Sequence, residues 1–172
     1  TAAAADLPAD VITTTDLQHR VERASGLRLP DGLFEKMSGV VHRHVAGPGE
    51  YASTLAVRAA ERALRSADLD PLDVDVLLFA SASRDMVEPA TAHIVQANLG
   101  SKAHALDVTN ACNSFLNGID LARTMIIAGR ADRVLVVTGE TPSRAMRPRL
   151  TSLTQARDAF AGYTFGDAGA AV

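Results

Sequence analysis

The run Ala52–Ala67, "ASTLAVRAAERALRSA", sets Leu55, Ala59, Ala63 and Ala67 on one stripe, with Leu64 beside it. That spacing in an alanine-rich segment predicts an amphipathic helix, ended by Asp70-Pro71. Val74–Ala80, "VDVLLFA", is nearly all apolar and predicts a strand covered on both faces. Polar "SASRDMVEP" reads as a loop, and Ala90–Leu99 as a second helix closed by Gly100. A short strand is expected over Ala103–Val108, then a third helix from about Cys112 to Ala128, stopped by Gly129. Its buried face is expected to carry Phe115, Leu116, Ile119, Ala122 and Ile126. Val134–Thr138 reads as another buried strand, and Tyr163–Val172 as a strand of small residues. Patterning is weaker elsewhere. Asp16–Ser25 suits a short helix, Leu29–Gly32 and Gly47–Gly49 suit turns, and Pro142–Gly162 is irregular with some helix.

Alternating helices and continuous apolar strands imply an α/β fold: a mixed, mostly parallel sheet with helices on both faces. At 172 residues and 47% hydrophobic, the chain can bury a core as one domain. No repeat, linker or low-complexity segment interrupts it.

Charge changes the picture little. Seventeen basic residues against 20 acidic give a net of −3, with no basic cluster or aromatic platform for nucleic acid. The densest basic run, Arg144–Arg149, carries three arginines beside a proline and reads as a solvated loop. No apolar run reaches the roughly 18–20 residues of a membrane span. The opening "TAAAADLPAD" has neither the basic nor the long apolar region of a signal peptide. A single cysteine makes no internal disulfide, which points to a cytoplasmic location.

That cysteine, Cys112, lies in "DVTNACNSFLNG", where a strand passes into a helix. Unpaired N–H groups and the positive end of the helix dipole stabilise a thiolate there and favour attack at neutral pH. The same N–H groups can cradle the oxyanion of an attacked thioester carbonyl. In open parallel sheets ligands gather at the carboxyl ends of strands, where this junction falls. A small buried hydrophobe is the competing reading of a lone cysteine. None of the five histidines, His19, His42, His44, His93 and His104, has a spacing that sets it beside Cys112. His42 and His44 alternate with Val41, Arg43 and Val45 and suit a surface strand; no third metal ligand accompanies them, so no metal site is assigned.

The stretch "DVTNACNSFLNGIDLARTMIIAGRADRVLVVTGET" resembles the nucleophile region of the thiolase-fold condensing enzymes of the β-ketoacyl-ACP synthase III group. Further blocks agree in order. "SGVVHRHVA" resembles that family's Gly-Ile-x-x-Arg-x-x-Ala turn, "AVRAAERALRSADLDPLDVDVLLFASAS" its first long helix and strand, and "FGDAGAAV" the strand closing its first half. The resemblance implies that Cys112 takes an acyl group from an acyl-CoA or acyl-carrier-protein thioester. Claisen condensation with a second substrate follows, with no cofactor or metal. It also implies that residues 1–172 are an N-terminal thiolase-like half, inactive alone, because the family's catalytic His and Asn belong to a second half. The family's first strand has no recognisable counterpart ahead of "LPADVITTTDL". A homodimer, or a dimer with a homologous subunit, is expected, with an acyl carrier protein as a candidate partner.

Two departures narrow the branch. Where acetyl-CoA-using members carry a Trp and an Arg before the Gly-Ile turn stand Leu33 and Met37, and Ala159 replaces an expected Arg. That speaks against a conventional CoA clamp and leaves the cofactor-like binding residues unassigned. In "RDMVEPATA", Glu88 occupies a place usually held by a bulky apolar residue that reaches into the partner's pocket. A glutamate there resembles the head-to-head acyl-condensing enzymes of the OleA type, in which it crosses the dimer interface and serves as base. "TNAC" and Gly139–Thr141 also look closer to this branch. Malonyl donors make their carbanion by losing CO₂, whereas a simple acyl thioester must lose an α-proton to a base. The bland reading of Glu88 is a solvated loop carboxylate, or one favoured by the dipole at a helix N-terminus. Thr109 and Asn110 are expected to shape the turn, Asn110 taking the unusual backbone angles, and Asn113 and Ser114 to make local hydrogen bonds. The rival functions are a ketosynthase III with a malonyl-ACP donor and a non-catalytic dimer scaffold.

Overall fold

A computed structural model describes every residue from Thr1 to Val172. In chain order the elements are β1 (Ala4–Asp6), β2 (Asp10–Thr13), α1 (Thr14–Ser25), α2 (Leu33–Ser38), β3 (His42–Val45), α3 (Ala52–Ala67) and β4 (Val76–Ala80). There follow α4 (Thr91–Leu99), β5 (His104–Val108), α5 (Ser114–Ile127), β6 (Val134–Glu140), α6 (Leu153–Asp158) and β7 (Ala168–Ala171). Where the sequence reads as one domain, the chain forms two units. The first comprises Thr1–Leu7, Pro48–Glu140 and Ala168–Val172, and the second Pro8–Gly47 and Thr141–Asp167. Each is assembled from segments far apart in sequence, so no linker announces the division.

The first unit holds a sheet ordered β1-β7-β6-β4-β5. β4 pairs in parallel with both β5 and β6, whereas β7 runs antiparallel to β6 and to β1. Four strands therefore share one direction and β7 opposes them, the mixed, mostly parallel sheet expected. β1 corrects the sequence reading: a strand does precede "LPADVITTTDL", with Ala4 opposite Ala171. Three residues are too few to show a strand pattern; pairing to a distant partner makes the strand.

Period-two geometry explains why "VLLFA" is apolar throughout. Leu77 and Phe79 join the core with α3 and α4, while Val76, Leu78 and Ala80 meet Ala122 of α5 on the other face. α3 buries Leu55, Ala59, Ala63 and Leu64 of the expected stripe, with Ala56 and Ala60 beside them, while Ala67 at its end is exposed. Its small residues permit close approach: a Cβ on Gly139 of β6 would stand 1.8 Å from the Ala52 carbonyl oxygen.

The expected face of α5 is a correction. Ser114, Gly118 and Ala122 are its buried residues, while Leu116, Ile119 and Ile126 are 64%, 38% and 47% exposed. Small residues make the contact. A Cβ at Gly118 would come 2.6 Å from Ala80 Cβ and 2.8 Å from Val136 Cγ1, so only glycine lets the helix backbone lie this close to β4 and β6.

In the second unit β2 and β3 pair antiparallel, Asp10 opposite Val45. Leu17, Val21, Leu29, Phe34, Leu150, Ala156 and Tyr163 form its core, and the rings of Phe34 and Tyr163 stack at 4.7 Å. Arg43 on β3 is buried; its guanidinium donates to the Tyr163 carbonyl and to Thr14 Oγ1, and burial lowers its pKa from the ordinary value. The buried Asp167 carboxylate accepts the Ala46 N–H at 2.7 Å and the Ser143 N–H at 3.0 Å. No helix in the chain is long and apolar enough to cross a membrane.

Candidate active site

Cys112 lies in the short connection between β5 and α5, at the carboxyl end of a parallel strand, and its side chain is exposed. The buried-hydrophobe reading therefore fails for this thiol. α5 begins two residues later at Ser114, so Cys112 stands at the open N–H end of a 14-residue helix. The turn itself is unusual. Ala111 has φ 46°, in the left-handed region that a non-glycine residue rarely adopts. The expectation placed this conformation on Asn110; the strained residue is its neighbour.

Local hydrogen bonds hold that turn. Ser114 Oγ accepts the Asn110 N–H at 2.8 Å and donates to the Ala111 carbonyl at 2.7 Å. Asn110 Nδ2 donates to Asn117 Oδ1 at 2.6 Å, one turn into the helix. The Asn113 N–H donates to the Asn110 carbonyl at 3.0 Å, but its side chain makes no cap, so of the two expected first-turn residues Ser114 carries the side-chain bonding.

Glu88 occupies an exposed segment between β4 and α4, flanked by Met86 and by Val87, which is 80% exposed. β4 and β5 are neighbours and parallel, so the loops bearing Glu88 and Cys112 leave the same end of the sheet. No hydrogen bond or ion pair joins the two side chains. Nor does Glu88 cap α4. That task falls to Asp107 at the end of β5, whose carboxylate accepts the N–H groups of Thr91 at 3.1 Å and Ala92 at 2.7 Å.

Sequence reasoning passed over three groups that tie these loops together. Asp107 joins the Cys112 strand to the start of α4. Asp85 accepts the Ser53 N–H at 3.1 Å, while its own N–H donates to Thr91 Oγ1 at 3.2 Å. Glu140 accepts from the segment following β4. Asp107 and Glu140 are carboxylates at the ends of strands and Asp85 lies in the loop after β4, which was the available signal.

No hydrogen bond joins a histidine to the thiol, and His19, His42 and His44 belong to the second unit. His104 opens β5, the strand whose far end leads to Cys112, and His93 is exposed on α4. His44, on β3, has Nδ1 2.6 Å from the Pro8 carbonyl oxygen. No three His, Cys, Asp or Glu side chains gather in a metal-binding group. At the clamp positions Leu33 and Ala159 are half-buried against the second unit's core, and Met37 is 53% exposed. Arg144, Arg147 and Arg149 are exposed, as expected of a solvated run.

The family of 3-oxoacyl-[acyl-carrier-protein (ACP)] synthase III matches residues 106–172, which include Cys112. The β-ketoacyl-ACP synthase III of Methylococcus capsulatus is 39% identical over 141 residues, covering 81% of this chain and 42% of that protein. A β-ketoacyl-ACP synthase III of Streptomyces coelicolor is 36% identical over 167 residues, covering 96% of this chain and 46% of that one. The chain thus spans about half the length of the curated relatives it matches. Among solved structures, a glutamate-substituted OleA of Xanthomonas campestris superposes with TM-score 0.86 at 30% identity, covering 99% of this chain and 55% of that one. The 3-oxoacyl-ACP synthase III of Aquifex aeolicus gives TM-score 0.82 at 30% identity, covering 99% of this chain and 51% of that one. By sequence and fold together, this chain belongs to the thiolase-fold condensing enzymes of the β-ketoacyl-ACP synthase III group.

Proposed function

We propose that this chain is the nucleophile-bearing N-terminal half of a carbon–carbon bond-forming acyltransferase. The observation that carries the reading is the exposed Cys112 thiol at the N-terminus of α5, within the residues matched to the synthase III family. The thiolate attacks an acyl thioester; the carrier thiol leaves, and the acyl group stays on sulfur. A carbanion from a second thioester then attacks the acyl carbonyl, and the Cys112 sulfur leaves as thiolate. The product is a β-keto thioester. Both substrates are thioesters of CoA or acyl carrier protein, the setting is cytoplasmic, and neither metal nor cofactor takes part. Histidine and asparagine of a second half complete the site, which fits a chain spanning 42% to 46% of its relatives.

For the second substrate we favour a simple acyl thioester, with Glu88 as base across a dimer. An exposed carboxylate with no partner in its own chain, on a loop beside the Cys112 strand, is free to enter a neighbour's site. Buried there, a carboxylate becomes a stronger base and can take the α-proton that a non-decarboxylating donor must lose. Likeness to OleA supports this branch. The curated synthase III relatives support the second reading, a malonyl-ACP donor with Glu88 incidental.

The test uses the full-length protein with two acyl-CoAs and no malonyl donor, reading β-keto product by mass spectrometry. Glu88→Ala is expected to lower condensation by about 10²–10⁴-fold while Cys112 still becomes acylated. Product formed at the wild-type rate in Glu88→Ala would sink the base assignment. Cys112→Ser is expected to abolish both acylation and product, and persistent acylation of the protein in that variant would refute the nucleophile.

A further inference from the structure

At the carboxyl edge of the first unit's sheet, one carboxylate ties two strand ends together. Glu140, half-buried, is the last residue of β6. Its Oε1 accepts the Ala82 N–H at 2.6 Å and lies 2.7 Å from the Ser81 hydroxyl, and its Oε2 accepts the Ser83 N–H at 3.0 Å. The buried Ser81 hydroxyl also lies 2.7 Å from the Gly139 carbonyl oxygen. All three donors belong to the segment that leaves β4.

Two more bonds carry this clamp to the cysteine turn. The Ser81 N–H donates to the Val108 carbonyl at 3.1 Å, and Thr109 Oγ1 donates to the Ser81 carbonyl at 3.2 Å. Ser81 is thereby fixed on one side by Glu140 and on the other by the residues that enter the Ala111–Cys112 turn. Ala111, with φ 46°, holds a backbone conformation that persists only where its surroundings over-determine it. One end of that turn is pinned by Ser114, and the other by Thr109 on Ser81.

We propose that Glu140 is a positioning residue for the Cys112 thiol, acting through Ser81 and Thr109; this rests on the reading of Cys112 as the nucleophile. Both carboxylate oxygens serve as acceptors, so glutamine cannot replace it. One end of a glutamine amide would present N–H to an N–H. The loop then relaxes, Ser81 shifts, and the thiol loses its fixed place relative to the helix end. Misplacement of a reacting group by about 1 Å costs on the order of 10²-fold in rate.

The experiment compares wild type, Glu140→Gln, Glu140→Asp and Thr109→Val in the full-length protein. Three quantities are read: kcat and KM for acyl transfer from an acyl-CoA to Cys112, the pH profile of Cys112 alkylation by iodoacetamide, and the thermal midpoint. Glu140→Gln is expected to lower kcat by about 10²-fold with KM within about twofold. Its alkylation at neutral pH should slow. Glu140→Asp, which keeps both oxygens, recovers part of the rate, and Thr109→Val changes the alkylation profile in the same direction. Wild-type kcat and an unchanged alkylation profile in a folded Glu140→Gln would overturn the proposal. If Glu140→Gln does not fold, Thr109→Val decides, and an unchanged profile there also overturns it. Failure of the wild type to take an acyl group defeats the proposed function, whereas the alkylation profiles still judge Glu140.

Discussion

Asp75 shows what a single exposed side chain does in this fold. Its Oδ2 accepts the N–H groups of Asp132 and Arg133, each at 2.9 Å, binding the entry of β6 to the entry of β4. Hydrogen bonds from the Arg133 and Asp132 backbone, in that order, and the nearby Arg133 charge hold its pKa below the ordinary 3.8. A carboxylate with a depressed folded pKa contributes stability that is complete above its unfolded value and lost as pH falls through the folded value. Asp75→Asn is therefore expected to lower the thermal midpoint at pH 7 and to differ less from wild type as the pH falls below the ordinary carboxylate value. Thermal melts over pH 2 to 7 check this; a gap independent of pH would contradict the charge assignment. Chemistry at this scale is legible unevenly. Cys112 stands out in the sequence by type and place and Glu88 only through the family resemblance, whereas Glu140 and Asp107 look like ordinary strand-end acids until their acceptor bonds are seen.

α5 carries the clearest lesson among the elements. Its bulky residues suggest a buried face of Leu116, Ile119 and Ile126, yet Gly118 and Ala122 meet the sheet. Hydrophobic periodicity selects large side chains, while closeness of backbones selects small ones. Two effects compete at Gly118. Alanine would raise intrinsic helix stability by about 1 kcal/mol. Its Cβ, however, would lie 2.6 Å from Ala80 Cβ, and overpacking costs about 1–3 kcal/mol. The clash is expected to win. Gly118→Ala should therefore show net destabilisation in denaturant melts, with slower alkylation of Cys112 as the helix start is pushed from its seat. A stabilised variant would show that the helix shifts freely.

For the molecule as a whole, the outward face of α5 is the notable surface. Ile127 is 69% exposed, and Ile119, Ile126 and Ile127 line a groove of about 760 Å³ together with Leu135, Val136 and Val172. An apolar surface of this kind on a free molecule favours association. On the half-enzyme proposal, the 172-residue chain alone is expected to self-associate and to give no condensed product, whereas a protein carrying both halves is expected to turn over. Light scattering and product analysis on the two forms check this. A monodisperse, fully active short chain would refute the half-enzyme reading.

Helix α3 and strands β4 to β6 needed only periodicity, because burial on two faces or one stripe leaves a local signature in the order of residues. The place of Cys112 between a strand and a helix was legible for the same reason, and the resemblance to a condensing enzyme supplied its proposed role. β1 was not legible, since its partner β7 lies some 160 residues away and three residues hold no pattern. Nor were the division into two units, the buried face of α5, or the Glu140–Ser81–Thr109 connection. Those depend on which distant backbones come close enough to touch. Local order therefore determined the elements and the place of Cys112, and tertiary packing alone decided what holds the Cys112 turn in place.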